Sequence, residues 1–331
     1  ESTLTPEAVS LSAALCSLEM IRGGTTSFLD AGGIHMDEAA KVYIKSGLRG
    51  ALTLSTMDDT KVPDSMRADA AESISRLNEY YNTWNGSGDG RLSVYYSLRS
   101  LISCSEKLIR GVFEAASERS AMVEAHMNEY PNEINYHLER YQMRPMEYLD
   151  SLGVLSDHFV SAHSILLSEH EIELMAANGV KAVHCPFSNC GKGIPQTPRL
   201  LAAGIPVAFG SDGAGHGGLD LFREMRAFRC IMNVAYGITT GNPEIMPAGT
   251  LLSMAMEGGA QALMNSSLGA IRRGNFADMI AVNLDQPHLT PTGSLVNTMI
   301  ESASGADVKH SIINGKLVMK DRKLLTIDEE K

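Results

Sequence analysis

The amino-acid sequence predicts an α/β fold: a (β/α)8 TIM-type barrel whose first strand is missing, followed by a small C-terminal β appendage. Two observations predict it. Short apolar runs typical of strands alternate with helical patterns over residues 1–267, and this alternation favours parallel βαβ units. From residue 268 to residue 331, short strands are instead joined by Gly and Asn turns. We therefore expect a barrel domain over 1–267 and part of a β-sandwich over 268–331.

The first predicted element is a helix that begins after Thr5. Thr5 is a suitable N-cap, Pro6 occupies the first helical position, and Glu7 places negative charge near the positive end of the helix dipole. Gly23 and Gly24 end the helix, because glycine readily adopts the left-handed conformation that closes helices.

Seven strand-like runs then follow along the chain, each rich in β-branched or apolar residues. They are Thr25–Asp30, Arg49–Ser55, Ser93–Ser97, Ala121–His126, His158–His163, Lys181–Cys185 and Pro206–Ser211. The clearest helix between them begins at Ser168, which forms a capping box with Glu171, and ends at Gly179. Seven parallel strands are one short of the eight that close a barrel. We expect the eighth to lie upstream of Glu1.

Two further helices are predicted after the last barrel strand, over 219–237 and 248–264. An open doubly wound sheet is the alternative fold. The sequence disfavours it, because the Gly-rich phosphate loop that follows the first strand of such sheets is absent. A barrel also predicts where catalytic groups lie, namely at the C-terminal ends of the strands.

The composition excludes several classes of protein. No apolar run approaches the roughly 18 residues of a membrane helix, and the first residues do not form a signal peptide. The net charge of −11 is spread along the chain, which disfavours nucleic acid as a partner. The five cysteines follow neither a disulfide nor a metal-knuckle spacing. We expect a cytoplasmic protein with a small-molecule partner, and leave open whether it forms a homo-oligomer.

Polar residues of metal-ligand or acid–base type stand at the ends of four predicted strands. They are His126, His163, His184 and Asp212. A single histidine at a strand end is more often structural, but a cluster at one barrel face is hard to explain by packing. Each unpaired buried polar group costs on the order of 1–3 kcal/mol, so the cluster predicts a bound ion or substrate.

Glu129 follows His126 by three residues and can reach a ligand bound beside it. On its own this spacing is weak, because Glu129 could be an ordinary solvated loop residue. Asp212 likewise has a plainer interpretation as a turn-forming or helix-capping residue. Only the neighbouring strand ends favour the catalytic interpretation of both.

The segments HMNE, SAHS, HCPFSN and GSDGAGHGGLDLFREMR resemble the amidohydrolase superfamily. The similarity is to its branch of cytosine, guanine and adenosylhomocysteine deaminases and triazine chlorohydrolases. EMIRGGTTSFLD near the start and GAIRRGNFADMIAV near the end extend the resemblance over nearly the whole chain.

The resemblance implies roles for individual residues. His126 and Asp212 match metal ligands, Asp212 also accepting a proton from the attacking water. Glu129 matches the glutamate that carries protons between water and substrate, and His163 matches a histidine that contacts substrate. Glu129, His163 and Asp212 are thus the predicted catalytic residues, with one divalent metal ion: zinc first, iron as the second candidate.

The predicted substrate-binding residues are His163, His184, Asn189 and Arg99. His184 and Asn189 match the HCPxSN segment, whose role is less uniform. Arg99 stands where several of these deaminases carry a histidine, a departure that argues against adenosylhomocysteine itself as substrate. An arginine could recognise a carbonyl or carboxylate instead, or pair with a surface acid.

A second departure concerns the HxH motif that supplies two metal ligands in this family. His35 is the only early histidine and stands alone. We expect the HxH upstream of Glu1. On this interpretation the chain as given binds zinc weakly and turns over poorly.

The resemblance implies an aminohydrolase that deaminates an amino-substituted N-heterocycle: a purine, pyrimidine, nucleoside-like compound or pterin. A chlorohydrolase, or another hydrolase of C–N or C–Cl bonds, is the alternative. Two further interpretations are a non-catalytic barrel that has lost its metal and a protein that binds a purine-like ligand without turnover.

Overall fold

The barrel strands pair in chain order in the computed structural model, which describes residues 3–64 and 66–329. A three-stranded sheet, β1–β2–β3, is followed by a five-stranded sheet, β4 to β8, and all of these pairs are parallel. The strands are β1 (Ser27–Asp30), β2 (Arg49–Leu52), β3 (Leu92–Val94), β4 (Tyr96–Ser100), β5 (Val123–Met127), β6 (Phe159–His163), β7 (Lys181–His184) and β8 (Val207–Phe209).

Segments β3 and β4 replace the single run predicted over Ser93–Ser97. The chain changes neighbours at this point. Tyr95 N–H donates to the Leu52 carbonyl of β2, whereas Tyr96 N–H donates to the Met122 carbonyl beside β5, both at 2.9 Å. The predicted run is therefore one barrel position whose two halves pair with different strands. Among the described residues, no strand pairs with the outer edge of β1 or of β8.

Helices separate the barrel strands, as predicted, except between β3 and β4. They are α1 (Pro6–Gly23), α2 (Met36–Ser46), α3 (Ala70–Trp84), α4 (Ser87–Gly90), α5 (Glu106–Ser117), α6 (Pro131–Tyr141), α7 (Pro145–Ser151), α8 (Glu169–Asn178), α9 (Pro186–Asn189), α10 (Thr197–Ala202), α11 (Leu221–Met232), α12 (Ile238–Thr240), α13 (Ala248–Ser253), α14 (Gly259–Ala262) and α15 (Leu295–Glu301). None of the described helices has the length and apolar character needed to cross a membrane.

The predicted caps are observed. Thr5 Oγ1 accepts from Ala8 N–H at 3.2 Å, and Gly24 closes α1 with a φ of 85°. At α8, Ser168 and Glu171 form the reciprocal capping box. Each cap satisfies backbone groups that a helix end leaves without partners. Short π-helical segments, Asn233–Gly237 and Met254–Gly258, extend the two helices predicted after the last barrel strand.

A large apolar cluster extends between the strands and the helices that surround them, and a smaller one contains Ala51, Tyr95, Met122 and Val160. On the strand side, Tyr96, Leu98 and Phe159 are fully buried. The rings of Phe113 on α5 and Phe159 on β6 meet edge to face with 5.5 Å between centroids. This packing holds the helix layer against the sheet and so fixes the positions of the strand ends.

The tail forms a four-stranded antiparallel sheet in the order β12–β11–β10–β9. Its strands are β9 (Met279–Val282), β10 (Val308–Ile313), β11 (Lys316–Lys320) and β12 (Lys323–Leu324). Helix α15, between β9 and β10, was not predicted. The sheet packs on α1, where Ser311 Oγ donates to the Ile21 carbonyl at 3.0 Å. The predicted α/β barrel fold with a β appendage is confirmed, while the domain boundary at 267/268 stays a prediction.

A buried ion pair ties the barrel to the tail. Arg49 at the start of β2 donates to both Asp278 carboxylate oxygens, at 2.6 and 3.3 Å. The two side chains are only 5% and 4% exposed. Asn314 N–H also donates to Asp278, at 2.7 Å.

Asp278→Asn is expected to lower the free energy of unfolding by about 3–5 kcal/mol, because it leaves the buried Arg49 charge without its partner. Urea denaturation measures this. The matched control is Asp89→Asn, which removes an ion pair to Lys316 whose two side chains are each 71% exposed. That change should stay within about 1 kcal/mol. Equal losses in the two variants would contradict the prediction.

Candidate active site

The predicted site residues lie at one end of the parallel strands. His126 is the last but one residue of β5, and His163 and His184 end β6 and β7. The register pairs Met127 with His163 across β5 and β6. Asp212 follows three residues after the end of β8. These ends form the face of a barrel at which active sites are found.

Three of these side chains form a compact group. Glu129, His163 and Asp212 each offer one oxygen or nitrogen atom, and these atoms all lie within 4.8 Å of one another. The His126 ring lies beside them, with 5.3 Å between its centroid and that of His163. His163 and Asp212 have φ values of 70° and 55°, a strained region for non-glycine residues. Such strain concentrates at functional sites.

Buried side chains form hydrogen bonds to the turn after β5, which carries Glu129. Asn128, at a φ of 51°, donates from its Nδ2 to Glu171 Oε1 at 2.9 Å. Glu129 N–H donates to Glu133 Oε2 at 3.0 Å. Asn128, Glu133 and Glu171 are all buried. Their hydrogen bonds therefore fix the position of the backbone at Glu129.

Lys192 enters this group and was not predicted. Its ammonium donates to Glu129 Oε1 at 2.5 Å and to Ser188 Oγ at 2.6 Å, and lies 3.5 Å from Asp212 Oδ2. The side chain is only 8% exposed. A cation thus sits between the two carboxylates, which shows that this volume stabilises positive charge.

Asp212 is ionised at neutral pH. Partial burial acts to raise its pKa, but hydrogen bonds from Ser188 Oγ and Gly213 N–H and the nearby charges of His163 and Lys192 outweigh burial and lower the pKa to about 2. The Ser188 contact is 2.5 Å and the Gly213 contact is 2.7 Å. Asp212 therefore stands ready to hold a cation or to accept a proton.

His126 and Glu124 project from the same side of β5. The His126 Nδ1 lies 3.5 Å from Glu124 Oε1. Within residues 3–64 and 66–329, neither that nitrogen nor either Glu124 oxygen has a hydrogen-bond partner, although all three atoms are buried. Burial lowers the pKa of His126 to about 4, so its imidazole is neutral, and raises the pKa of Glu124 to about 8. A neutral imidazole is the form that binds metals.

His184 and Asn189 are buried, and their polar atoms are bonded within the protein. His184 Nδ1 donates to the His163 carbonyl at 2.8 Å, and Thr197 Oγ1 lies 2.9 Å from His184 Nε2. The Asn189 amide contacts Cys185 N–H and His163. These contacts hold the backbone carbonyl and the Nδ1 atom of His163. The assignment of His184 and Asn189 as substrate-binding residues stays a prediction.

Arg99 lies near the end of β4 and is half-buried. Burial is the main cause that lowers the pKa of both His126 and His163, and the nearby Arg99 charge acts in the same direction. Among the described residues its guanidinium forms no ion pair within 4.0 Å. An arginine carries five donors and no acceptor. Its N–H groups are thus free to meet acceptor atoms of a ligand.

The donor set fits a divalent metal ion. Carboxylates and neutral imidazoles are ligands that zinc accepts, and this site offers one of each in Asp212 and in His126, whose ring lies beside the compact group. The ammonium of Lys192 near the Glu129 and Asp212 carboxylates agrees with a site that stabilises a cation.

Stability should fall in acid because of His184. Burial lowers the pKa of this side chain to about 4. Between pH of about 6.5 and 4 the unfolded chain therefore binds the proton that the folded chain rejects, so the free energy of unfolding decreases as pH falls. We expect His184 to account for about 2–3 kcal/mol of the loss between pH 7 and pH 4.5.

The measurement is urea unfolding of the wild type and of His184→Gln at both pH values. The variant should be less stable at pH 7, since it loses two buried hydrogen bonds, but should lose less stability on acidification. An unchanged pH dependence would show that the histidine is not buried neutral.

Three residues of the site escaped sequence analysis: Lys192, Ser188 and Glu124. Ser188 lies inside the HCPFSN segment, and Lys192 lies between two glycines just after it. The local sequence gives no signal that this lysine is buried, because lysines in loops are mostly exposed. Glu124 occurs two residues before His126, so period-2 alternation already places both on one face of the strand.

Comparisons with known proteins identify relatives of this chain. The amidohydrolase family matches residues 1–318. The chain is 35% identical over its whole length to 74% of a 5-methylthioadenosine/S-adenosylhomocysteine deaminase from Pelotomaculum thermopropionicum. It is 34% identical, again over its whole length, to 75% of a 5'-deoxyadenosine deaminase from Methanosarcina acetivorans.

A solved structure shares the fold. It is an adenosine deaminase from Xanthomonas campestris with bound zinc, 27% identical, with a TM-score of 0.92 over 99% of this chain and 73% of that one. These findings confirm the predicted resemblance and the predicted hydrolase of non-peptide carbon–nitrogen bonds. The chain belongs to the amidohydrolase family.

Proposed function

We propose that the protein is an aminohydrolase that replaces the exocyclic amine of an N-heterocycle with oxygen and releases ammonia. The observation that carries the proposal is the compact group of Glu129, His163 and Asp212, whose donor and acceptor atoms lie within 4.8 Å of one another. Two carboxylates and an imidazole in so small a volume can move protons to and from one reacting centre.

The proposed roles follow from the electrostatics. Asp212, whose pKa is about 2, is ionised and accepts a proton from the attacking water. Glu129 lies 3.4 Å from His163 Nε2 and carries a proton to the ring nitrogen of the substrate. Overall, a C–N bond to the amine breaks, a C–O bond to the water oxygen forms, and the amine leaves as ammonia.

We assign the divalent ion as zinc, with iron as the second candidate, and place His126 and Asp212 among its ligands. When bound, the ion supplies Lewis-acid chemistry that lowers the pKa of water toward about 7. The zinc bound in the similar adenosine deaminase structure supports this assignment.

The proposed substrates are nucleoside-like purines, because the most similar relatives named above are deaminases of 5'-modified adenosines. Arg99 suggests that acceptor-rich ligands are also accommodated, since its guanidinium can only donate. The proposed surroundings are a reducing cytoplasm, in keeping with five cysteines that are all free. We also retain residues 1–267 and 268–331 as the proposed domains.

A substrate panel tests the proposal. The intact protein with zinc is given adenosine, 5'-deoxyadenosine, 5'-methylthioadenosine, S-adenosylhomocysteine, guanine, cytosine and an aminotriazine, and ammonia release is followed. Turnover of at least one purine compound is expected. Chloride release from a chlorotriazine without ammonia release from any compound would favour the chlorohydrolase alternative. Binding without turnover would overturn the proposal in favour of a binding protein.

A further inference from the structure

We propose that Asn189 is a positioning residue that fixes the His163 proton on Nε2, so that His163 acts as a hydrogen-bond donor in the site and not as a metal ligand. The consequence for catalysis rests on the proposed function, whereas the placement of the proton does not. Asn189 is buried, with only 2% of the residue exposed.

The orientation of the Asn189 amide is set by the backbone. Cys185 N–H points at one amide atom of Asn189, at 2.7 Å. A backbone N–H can only donate, so the atom that it meets must be the amide oxygen. Asn189 ends the short helix α9 and its side chain folds back to the residue just before that helix, which holds the amide in place.

The amide nitrogen then faces His163. Asn189 Nδ2 lies 3.2 Å from His163 Nδ1. Because an amide NH2 group donates and does not accept, His163 Nδ1 must present its lone pair. A lone pair on Nδ1 excludes the doubly protonated ring, so the imidazole is neutral and carries one proton. That proton is on Nε2.

The placement of the proton decides what His163 can do. Its Nε2–H points into the compact group, 3.4 Å from Glu129 Oε1. A protonated imidazole nitrogen has no lone pair for a metal ion, so His163 can donate to an oxygen atom in the site but cannot ligate. The bond from His184 Nδ1 to the His163 carbonyl holds the residue from the opposite side.

The direct test is nitrogen NMR of the protein labelled with 15N-histidine, with the His163 signals assigned from a His163→Asn variant. In the wild type, His163 is expected to show an unprotonated Nδ1 and a protonated Nε2. A proton on Nδ1 in the wild type overturns the proposal, and this measurement needs no variant of Asn189.

The substitution Asn189→Asp replaces the donor that faces His163 Nδ1 with an acceptor. One carboxylate oxygen still accepts from Cys185 N–H, while the other requires a proton on His163 Nδ1. We expect that proton to appear in the spectrum and ammonia release to fall at least tenfold. The matched control is Asn242→Asp, an exposed asparagine whose oxygen also accepts a backbone N–H, from Glu244 at 2.9 Å. It should change neither readout.

The outcomes separate this inference from the proposed function. An unchanged His163 spectrum in folded Asn189→Asp refutes the positioning role, whatever the activity. The expected spectra together with no ammonia release in the wild type would leave the proton placement intact and refute the aminohydrolase. A shifted proton with full turnover would show that the donor at Nε2 is dispensable, which overturns its role in the reaction.

Discussion

Glu129→Gln is expected to lower kcat for ammonia release by about 10²–10⁴-fold, the usual contribution of a positioned acid–base group. The amide keeps the size of the side chain and can still contact its neighbours. It cannot take up a proton and pass it on. Glu129 Oε1 contacts both Lys192 Nζ and His163 Nε2, at 2.5 and 3.4 Å. The substitution therefore removes a negative charge that contacts both of these side chains.

The measurement is steady-state kinetics of the zinc-loaded protein on its best purine substrate. The KM should change much less than kcat, because the proton is moved in the transition state and not in the bound ground state. The control is Glu139→Gln, an exposed glutamate on the nearby helix α6. If the Glu129 variant keeps more than a third of the wild-type kcat, another group carries the proton.

Local signals were sufficient for most of the fold. Thr5 and Gly24 mark the ends of α1, and Ser168 and Gly179 mark the ends of α8, because caps depend on residues adjacent in sequence. The change of strand partner at Tyr95 has no such signal. It depends on where the neighbouring strands lie, and nothing in the local sequence encodes that.

The barrel fold explains why the residues that lie together in the site could be predicted, although their hydrogen bonds could not. Once strands are assigned, parallel pairing brings their ends to one face, so His126, His163 and Asp212 had to be neighbours. What each side chain bonds to could not be predicted. The bonds of Asn189 and His184 to Cys185, His163 and Thr197 are examples. That these two residues also bind substrate stays a prediction.

Lys192 shows the same limit most clearly. It lies 63 residues from Glu129 along the chain, in a glycine-rich loop where a lysine is ordinarily a solvated surface residue. Only the folded arrangement of Ser188, Glu129 and Asp212 explains its burial. A cation between two carboxylates this close stabilises them, and the Lys192 ammonium lies within 4 Å of both.

Lys192→Met is therefore expected to tighten zinc binding while destabilising the metal-free protein. Without zinc, Glu129 and Asp212 lose their compensating charge, which should lower the free energy of unfolding by on the order of 2 kcal/mol. The effect is smaller than for a fully buried pair because Asp212 is 30% exposed. With zinc, the ion no longer competes with an ammonium group, so its affinity should rise about tenfold or more.

Calorimetric zinc titration and urea unfolding with and without zinc measure both effects. Since a ligand stabilises the state that binds it, zinc should raise the free energy of unfolding more in the variant than in the wild type. Lys41→Met is the control, because Lys41 pairs with Glu38 at the surface, where its side chain is 57% exposed. Weaker zinc binding in the Lys192 variant would mean that the lysine helps to arrange the ligands instead of competing with the ion. In that case the close contact between Lys192 and Glu129 would have to persist in the zinc-bound protein, because only a retained contact could still orient the carboxylate.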